Sequence, residues 1–151
     1  MKKLVIALAA LAVFSFAAAQ NFTVGAVYGS DLFVTAEYGQ EFDSGDLLLG
    51  VAVVPMSWET EVTLGARAEL FELTGGADLT VLAVTGRVHL PVYDGADLVL
   101  GQLDASVMLD LMIPQEQNGL VLMFSAGARA PVNSTGLTTI PSLVFGAGLQ
   151  F

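Results

Sequence analysis

Apolar side chains recur at every second position through most of this 151-residue chain, and that period limits what it can fold into more than any other feature. Phe22, Val24, Ala26 and Tyr28 alternate with Thr23 and Gly25; Leu32, Val34, Ala36 and Tyr38 alternate with Thr35, Glu37 and Gly39. From Val62 to Leu70 the apolar residues oppose Glu61, Thr63, Gly65, Arg67 and Glu69. The pattern continues with Leu82, Val84, Val88 and Leu90 against Thr85, Arg87 and His89, then with Val99 and Leu103 to Leu111 against Gln102, Asp104, Ser106, Met108 and Asp110. Leu120 to Ala128 oppose Met123, Ser125, Gly127 and Arg129, and Leu143 to Phe151 oppose Ser142, Gly146, Gly148 and Gln150. One further segment, Asp46 to Val54, is almost wholly apolar, so its facing stays open.

Clusters of Gly, Pro, Asn, Asp and Ser separate these segments, among them Gly29-Ser30-Asp31, Asp43-Ser44-Gly45-Asp46 and Pro131 to Gly136, and no segment sustains a 3.6-residue period. Such clusters mark hairpin turns rather than crossovers. The expectation is an all-β fold of eight antiparallel strands in up-and-down order with short loops, forming one domain over residues 20–151.

The N-terminus reads as an export signal. Met1-Lys2-Lys3 is positive, Leu4 to Phe16 is apolar apart from Ser15, and Ala17-Ala18-Ala19 offers a cleavage site, so residues 1–19 are expected to be a removed signal peptide rather than a retained anchor. Cleavage takes both lysines, leaving three arginines against fifteen carboxylates. A chain so acidic lacks the basic footprint that nucleic acid requires. There is no cysteine, so burial and hydrogen bonding must hold the exported domain without disulfides.

Alternation alone does not say which face looks inward. A soluble barrel of lipocalin type, binding an apolar ligand, turns its bulky residues in; an outer-membrane barrel turns them toward lipid and keeps a polar lumen. The polar face decides the expectation, because its many Thr, Gly and Ser residues and sparse charges would make a poor water-facing surface. An eight-stranded barrel has an interior that side chains just fill. Glu37, Glu61, Arg67, Glu69, Arg87, His89, Asp104, Asp110 and Arg129 are therefore expected to form a lumen charge network. Phe22, Tyr28, Tyr38, Trp58, Phe71, Tyr93 and Phe151 fall near segment ends, where membrane barrels carry aromatic girdles.

With these features the sequence resembles the small outer-membrane β-barrel proteins of double-membraned bacteria, without pointing to a subfamily. Phe145-Gly146-Ala147-Gly148-Leu149-Gln150-Phe151 is similar to the C-terminal signal, ending in an aromatic residue, by which that family's barrel-assembly machinery recognises substrates. The resemblance implies a transmembrane β-barrel with Phe145, Gly146, Leu149 and Phe151 as its assembly signal. It also implies outer-membrane lipids and the assembly machinery as partners, a monomer, and a location in the bacterial outer membrane.

The activity expected is non-enzymatic, either envelope-structural or the passage of small solutes. No Cys/His metal cluster, phosphate-binding loop or cofactor motif is present. Glu41, Asp43 and Asp46 read as solvated loop carboxylates rather than a cation site. Family members that act on lipid through a nucleophilic Ser need a His beside it, aimed at the lipid. His89, the one histidine, points inward by its alternation; a Ser partner for it can only come from another strand.

Overall fold

The computed structural model describes residues 21–43, 45–57, 59–75, 78–92, 103–115, 119–133, 136–137 and 140–151. The signal-peptide segment, Trp58, Tyr93, Val99 and Gln102 lie outside the described residues. The described residues form nine strands: β1 (Phe22–Tyr28), β2 (Leu32–Phe42), β3 (Gly45–Val53), β4 (Thr60–Gly75), β5 (Asp78–Val92), β6 (Leu103–Pro114), β7 (Val121–Asn133), β8 (Gly136–Leu137) and β9 (Ser142–Gln150). Each strand from β1 to β7 pairs antiparallel with the next. β9 pairs with β7 on one side and with β1 on the other, so eight strands close into an up-and-down barrel. The two-residue β8 only extends the end of β7.

The first and last described residues are knitted together at the closing seam. Asn21 and Phe22 donate their N–H groups to the Phe151 carbonyl at 2.9 and 3.3 Å, and Phe151 N–H donates to the Phe22 carbonyl at 2.8 Å. Closure gives each strand of the barrel wall a partner on both sides, so the sheet does not end in an edge strand among the described residues. Phe22 is buried at this seam, whereas Tyr28, Phe71 and Phe151 are exposed at or near strand ends.

Because strand side chains alternate across the sheet, one row of each strand must fill the lumen. The inward rows carry Thr23, Glu37, Thr63, Arg67, Thr85, Arg87, His89, Ser106, Asp110, Ser125 and Gln150, all buried. The outward rows carry Leu32, Val34, Leu64, Val107, Leu109, Phe124, Phe145 and Leu149, all exposed. The barrel thus carries its charged groups inside and bulky apolar groups on its outer face. β3, ambiguous in sequence, resolves with Leu48 and Ala52 buried and Leu47 and Leu49 exposed.

Three charged and polar layers leave little lumen space, and glycines make room for them. A Cβ on Gly50 would lie 2.5 Å from Glu37 Cγ, and one on Gly65 would lie 2.6 Å from the Gly86 carbonyl oxygen and 2.9 Å from Arg87 Cγ. At the end of the barrel that carries Asn21 and Phe151 (the terminal end), Val81, Ala83, Met112 and Met123 form a small buried apolar cluster, with Val121 packed on it.

The β4–β5 hairpin is longer than the alternation suggests. β3 contacts β4 only as far as the Asp46–Arg67 pair, while β4 and β5 continue past it to Gly75 and Asp78, through an irregularity between Glu69 and Phe71. Leu70, Phe71 and Leu73 on this projecting part are exposed.

Candidate functional site

The lumen is organised around three arginines, one each from β4, β5 and β7. Nearest the terminal end, Arg67 is only 3% exposed and reaches five other strands. Its Nη1 donates to Asp46 Oδ2 on β3 at 3.4 Å and to Gln150 Oε1 on β9 at 3.2 Å. Its Nε donates to Thr85 Oγ1 on β5 at 3.4 Å and lies 3.6 Å from Asp110 Oδ2 on β6; its Nη2 meets Met123 Sδ on β7 at 3.5 Å. The Thr85 hydroxyl in turn donates to Asp110, which is 0% exposed. One side chain thereby ties most of the barrel circumference together.

In the middle layer Arg87 faces Glu37 across the interior, fork to fork. Nε donates to Oε1 at 2.6 Å and Nη2 to Oε2 at 2.7 Å, while the Thr63 hydroxyl donates to Glu37 Oε1 at 3.4 Å. The remaining nitrogen, Nη1, meets only the Met108 thioether among the described residues, at 3.6 Å. Toward the other end, Arg129 donates from Nη2 to Glu61 Oε1 at 2.5 Å and from Nε to Asp104 Oδ2 at 2.8 Å, and its guanidinium carbon stands 4.9 Å from the centroid of the Phe33 ring. Leaving any of these charges without its partner in the interior would cost several kcal/mol, which is why the carboxylates come from different strands to meet each arginine.

His89 completes the upper layer. Its Nε2 is 2.8 Å from Ser106 Oγ on β6, and its Nδ1 is 3.3 Å from Glu61 Oε2 on β4. Glu61 Oε2 and His89 Nδ1 are both buried and make no aligned hydrogen bond, although they face each other. The sequence left a cross-strand Ser partner for His89 open, and the register supplies one.

A cavity of about 50 Å³ lies beside these groups, bordered by Arg87, His89, Ser106, Met108, Ser125 and Arg129, with Gly29, Ser30 and Ser142 at its lip. These lip residues belong to the end of the barrel away from the termini. The lining stops at Met108 and Met123, and the Arg67 layer is packed beneath it, so the cavity is a cup closed toward the terminal end.

Eight of the nine expected network residues therefore converge in the lumen. Glu69 does not: it is exposed, because β3 ends opposite Arg67 and Glu69 stands on the part of β4 beyond it. Asp46, read from sequence as a solvated loop carboxylate, is instead the first inward residue of β3 and a half-buried partner of Arg67. Thr63, Thr85, Ser106 and Gln150 lie on the polar rows, yet nothing in sequence marks them as partners of the charges. Of the residues in the expected assembly signal, Phe145, Leu149 and Phe151 are exposed, while Gly146 lines the cup. No protein-family model, curated protein or solved structure matches this chain.

Proposed function

We propose that the protein is an integral outer-membrane barrel of a double-membraned bacterium, exported by its N-terminal signal, monomeric, and serving envelope structure with at most restricted passage of small solutes. The observation that carries this reading is the inversion of the two faces. Val107 on β6 is 60% exposed while Asp110 on the opposite row of that strand is 0% exposed, and Phe145 on β9 is 56% exposed while Gln150 on its opposite row is buried. Soluble monomers rarely carry contiguous exposed apolar patches beyond a few hundred Å².

Strand length supports the same reading. Strands of 9 to 12 residues such as β2, β3, β6 and β9 rise ~3.3 Å per residue, and at a tilt near 40° they stand about 25 Å high, the height of the apolar band of an outer membrane. With both termini on the periplasmic side, the cup would open toward the exterior and its Arg67 floor would face the periplasm. The layered ion pairs make the interior a plug rather than a channel.

Membrane fractionation with a heat-modifiable gel shift tests the placement. Recovery in the outer-membrane fraction, with faster migration of the unheated form, is expected; recovery as a detergent-free soluble monomer would instead make it a secreted soluble barrel.

A further inference from the structure

His89 and Ser106 are not needed to pair Arg129, which already has Asp104 and Glu61 as partners, yet with Glu61 they form a Ser106–His89–Glu61 constellation. We propose that it is a hydrolytic site, in which Ser106 is the nucleophile for short-chain carboxylic esters that enter the cup by their acyl end. This depends on the lumen alone and not on where the barrel resides.

The three residues come from adjacent strands β4, β5 and β6 and are 8% (Glu61), 8% (His89) and 4% (Ser106) exposed. With Ser106 donating its hydroxyl to His89 Nε2 at 2.8 Å, the ring proton belongs on Nδ1, which faces Glu61 Oε2 at 3.3 Å. Arg129 holds the other oxygen of Glu61 and so fixes which oxygen meets the imidazole. That is the order of nucleophile, base and orienting carboxylate which activates a serine on unrelated folds. The modest alignment of the His89–Glu61 contact is usual for such sites before substrate binds.

A donor for the developing oxyanion is at hand. Ser106 is the direct cross-strand partner of Arg87, whose Nη1 has only a thioether contact among the described residues while Glu37 occupies its other two nitrogens. A water needs about 10–15 Å³ of such space, so a cup of about 50 Å³ accepts a few waters or a short acyl chain. The leaving group would remain at the lip.

In the reaction, Ser106 Oγ bonds to the ester carbonyl carbon as its proton passes to His89 Nε2. The bond from that carbon to the leaving oxygen breaks, and His89 returns the proton to this oxygen, releasing an alcohol. Water then attacks acyl-Ser106, giving one proton to His89, which passes it to Ser106 Oγ as the carboxylic acid leaves. Glu61 acts as a positioning residue through His89.

The test uses the full mature barrel folded in detergent, checked by heat-modifiable mobility, with a fluorophosphonate probe and with p-nitrophenyl acetate. Covalent labelling located at Ser106 by mass spectrometry is expected, with loss in Ser106→Ala and in His89→Gln. Ester turnover should fall at least about 100-fold in either variant, and Glu61→Gln should lower kcat with KM unchanged. A folded wild-type barrel that is unlabelled at Ser106, or that hydrolyses the ester no faster than folded Ser106→Ala, overturns the proposal. So does labelling that is indifferent to His89→Gln.

Discussion

Arg87 and Glu37 are 50 residues apart and on strands that do not pair, yet they meet inside the barrel in a two-pronged ion pair of 2.6 and 2.7 Å. β3 and β4 lie between β2 and β5 in the wall, so this contact crosses the lumen rather than following the sheet. Removing one partner strands the other charge in the buried interior. Arg87→Met should therefore destabilise the barrel by about 3–5 kcal/mol, and the double variant Glu37→Gln, Arg87→Met should recover most of that. Urea unfolding in detergent, run as a double-mutant cycle, measures both; additive losses in the double variant would show that the pair is not coupled.

The outward row of β6 separates lipid from water as surroundings. Leu109 is exposed near the middle of that strand. In a bilayer, Leu109→Arg should cost about 2–4 kcal/mol, because a cation at the midplane cannot be hydrated cheaply. On a water-facing surface the same change should be near neutral and should improve solubility. Folding equilibria in lipid vesicles give the answer directly.

The inward rows were legible in sequence because a period of two needs no knowledge of neighbours. Glu37, Arg87, His89, Asp110 and Arg129 all fall where their alternation puts them. What local pattern cannot supply is register and strand length. Asp46 belongs with Arg67 only because β3 starts where it does, and Glu69 leaves the lumen only because β3 provides no neighbour beyond Arg67. Ser106 meets His89 through the β5–β6 register, in which Ser106 opposes Arg87 and Asp104 opposes His89. β3 shows the complementary limit, since an unbroken apolar run has no second face to read; its inner row is fixed by the neighbours, where Glu37 and Thr63 pack against Gly50.

Gly50 also provides a packing test. A side chain there has no space to enter, as a Cβ would lie 2.5 Å from Glu37 Cγ and 2.7 Å from the Ala36 carbonyl oxygen. Gly50→Val should cost about 1–3 kcal/mol or more through displacement of Glu37 from Arg87. Combining it with Glu37→Ala should relieve part of the loss. A Gly50→Val barrel with an unchanged urea midpoint would contradict the tight approach.

Planar-bilayer conductance distinguishes the two ends of the lumen. Arg129 stands at the mouth of the cup, so Arg129→Ala widens a cavity that is still closed below by Arg67 and its partners. Little current is expected. Arg67→Ala removes the side chain that binds Asp46, Thr85, Asp110 and Gln150 together and leaves two carboxylates facing each other at the floor. That variant should conduct, with a preference for cations, and wild type should show only small events. Equal currents in both variants would place the constriction elsewhere.

Phe151 joins two roles that can be separated by comparing a substitution with a deletion. Its backbone makes three hydrogen bonds to Asn21 and Phe22, whereas its ring is exposed. Phe151→Ala keeps the backbone bonds, so the stability of barrel refolded in detergent should change by less than about 0.5 kcal/mol. Deleting Phe151 removes the bonds and should loosen the β1–β9 seam, lowering stability by about 1–3 kcal/mol. If the ring also serves as the recognition signal for assembly, Phe151→Ala should insert poorly in cells despite its intact stability in vitro. Pulse-labelling followed by membrane fractionation measures the insertion; normal kinetics for Phe151→Ala would leave the ring without an assembly role and the seam as its residue's only contribution.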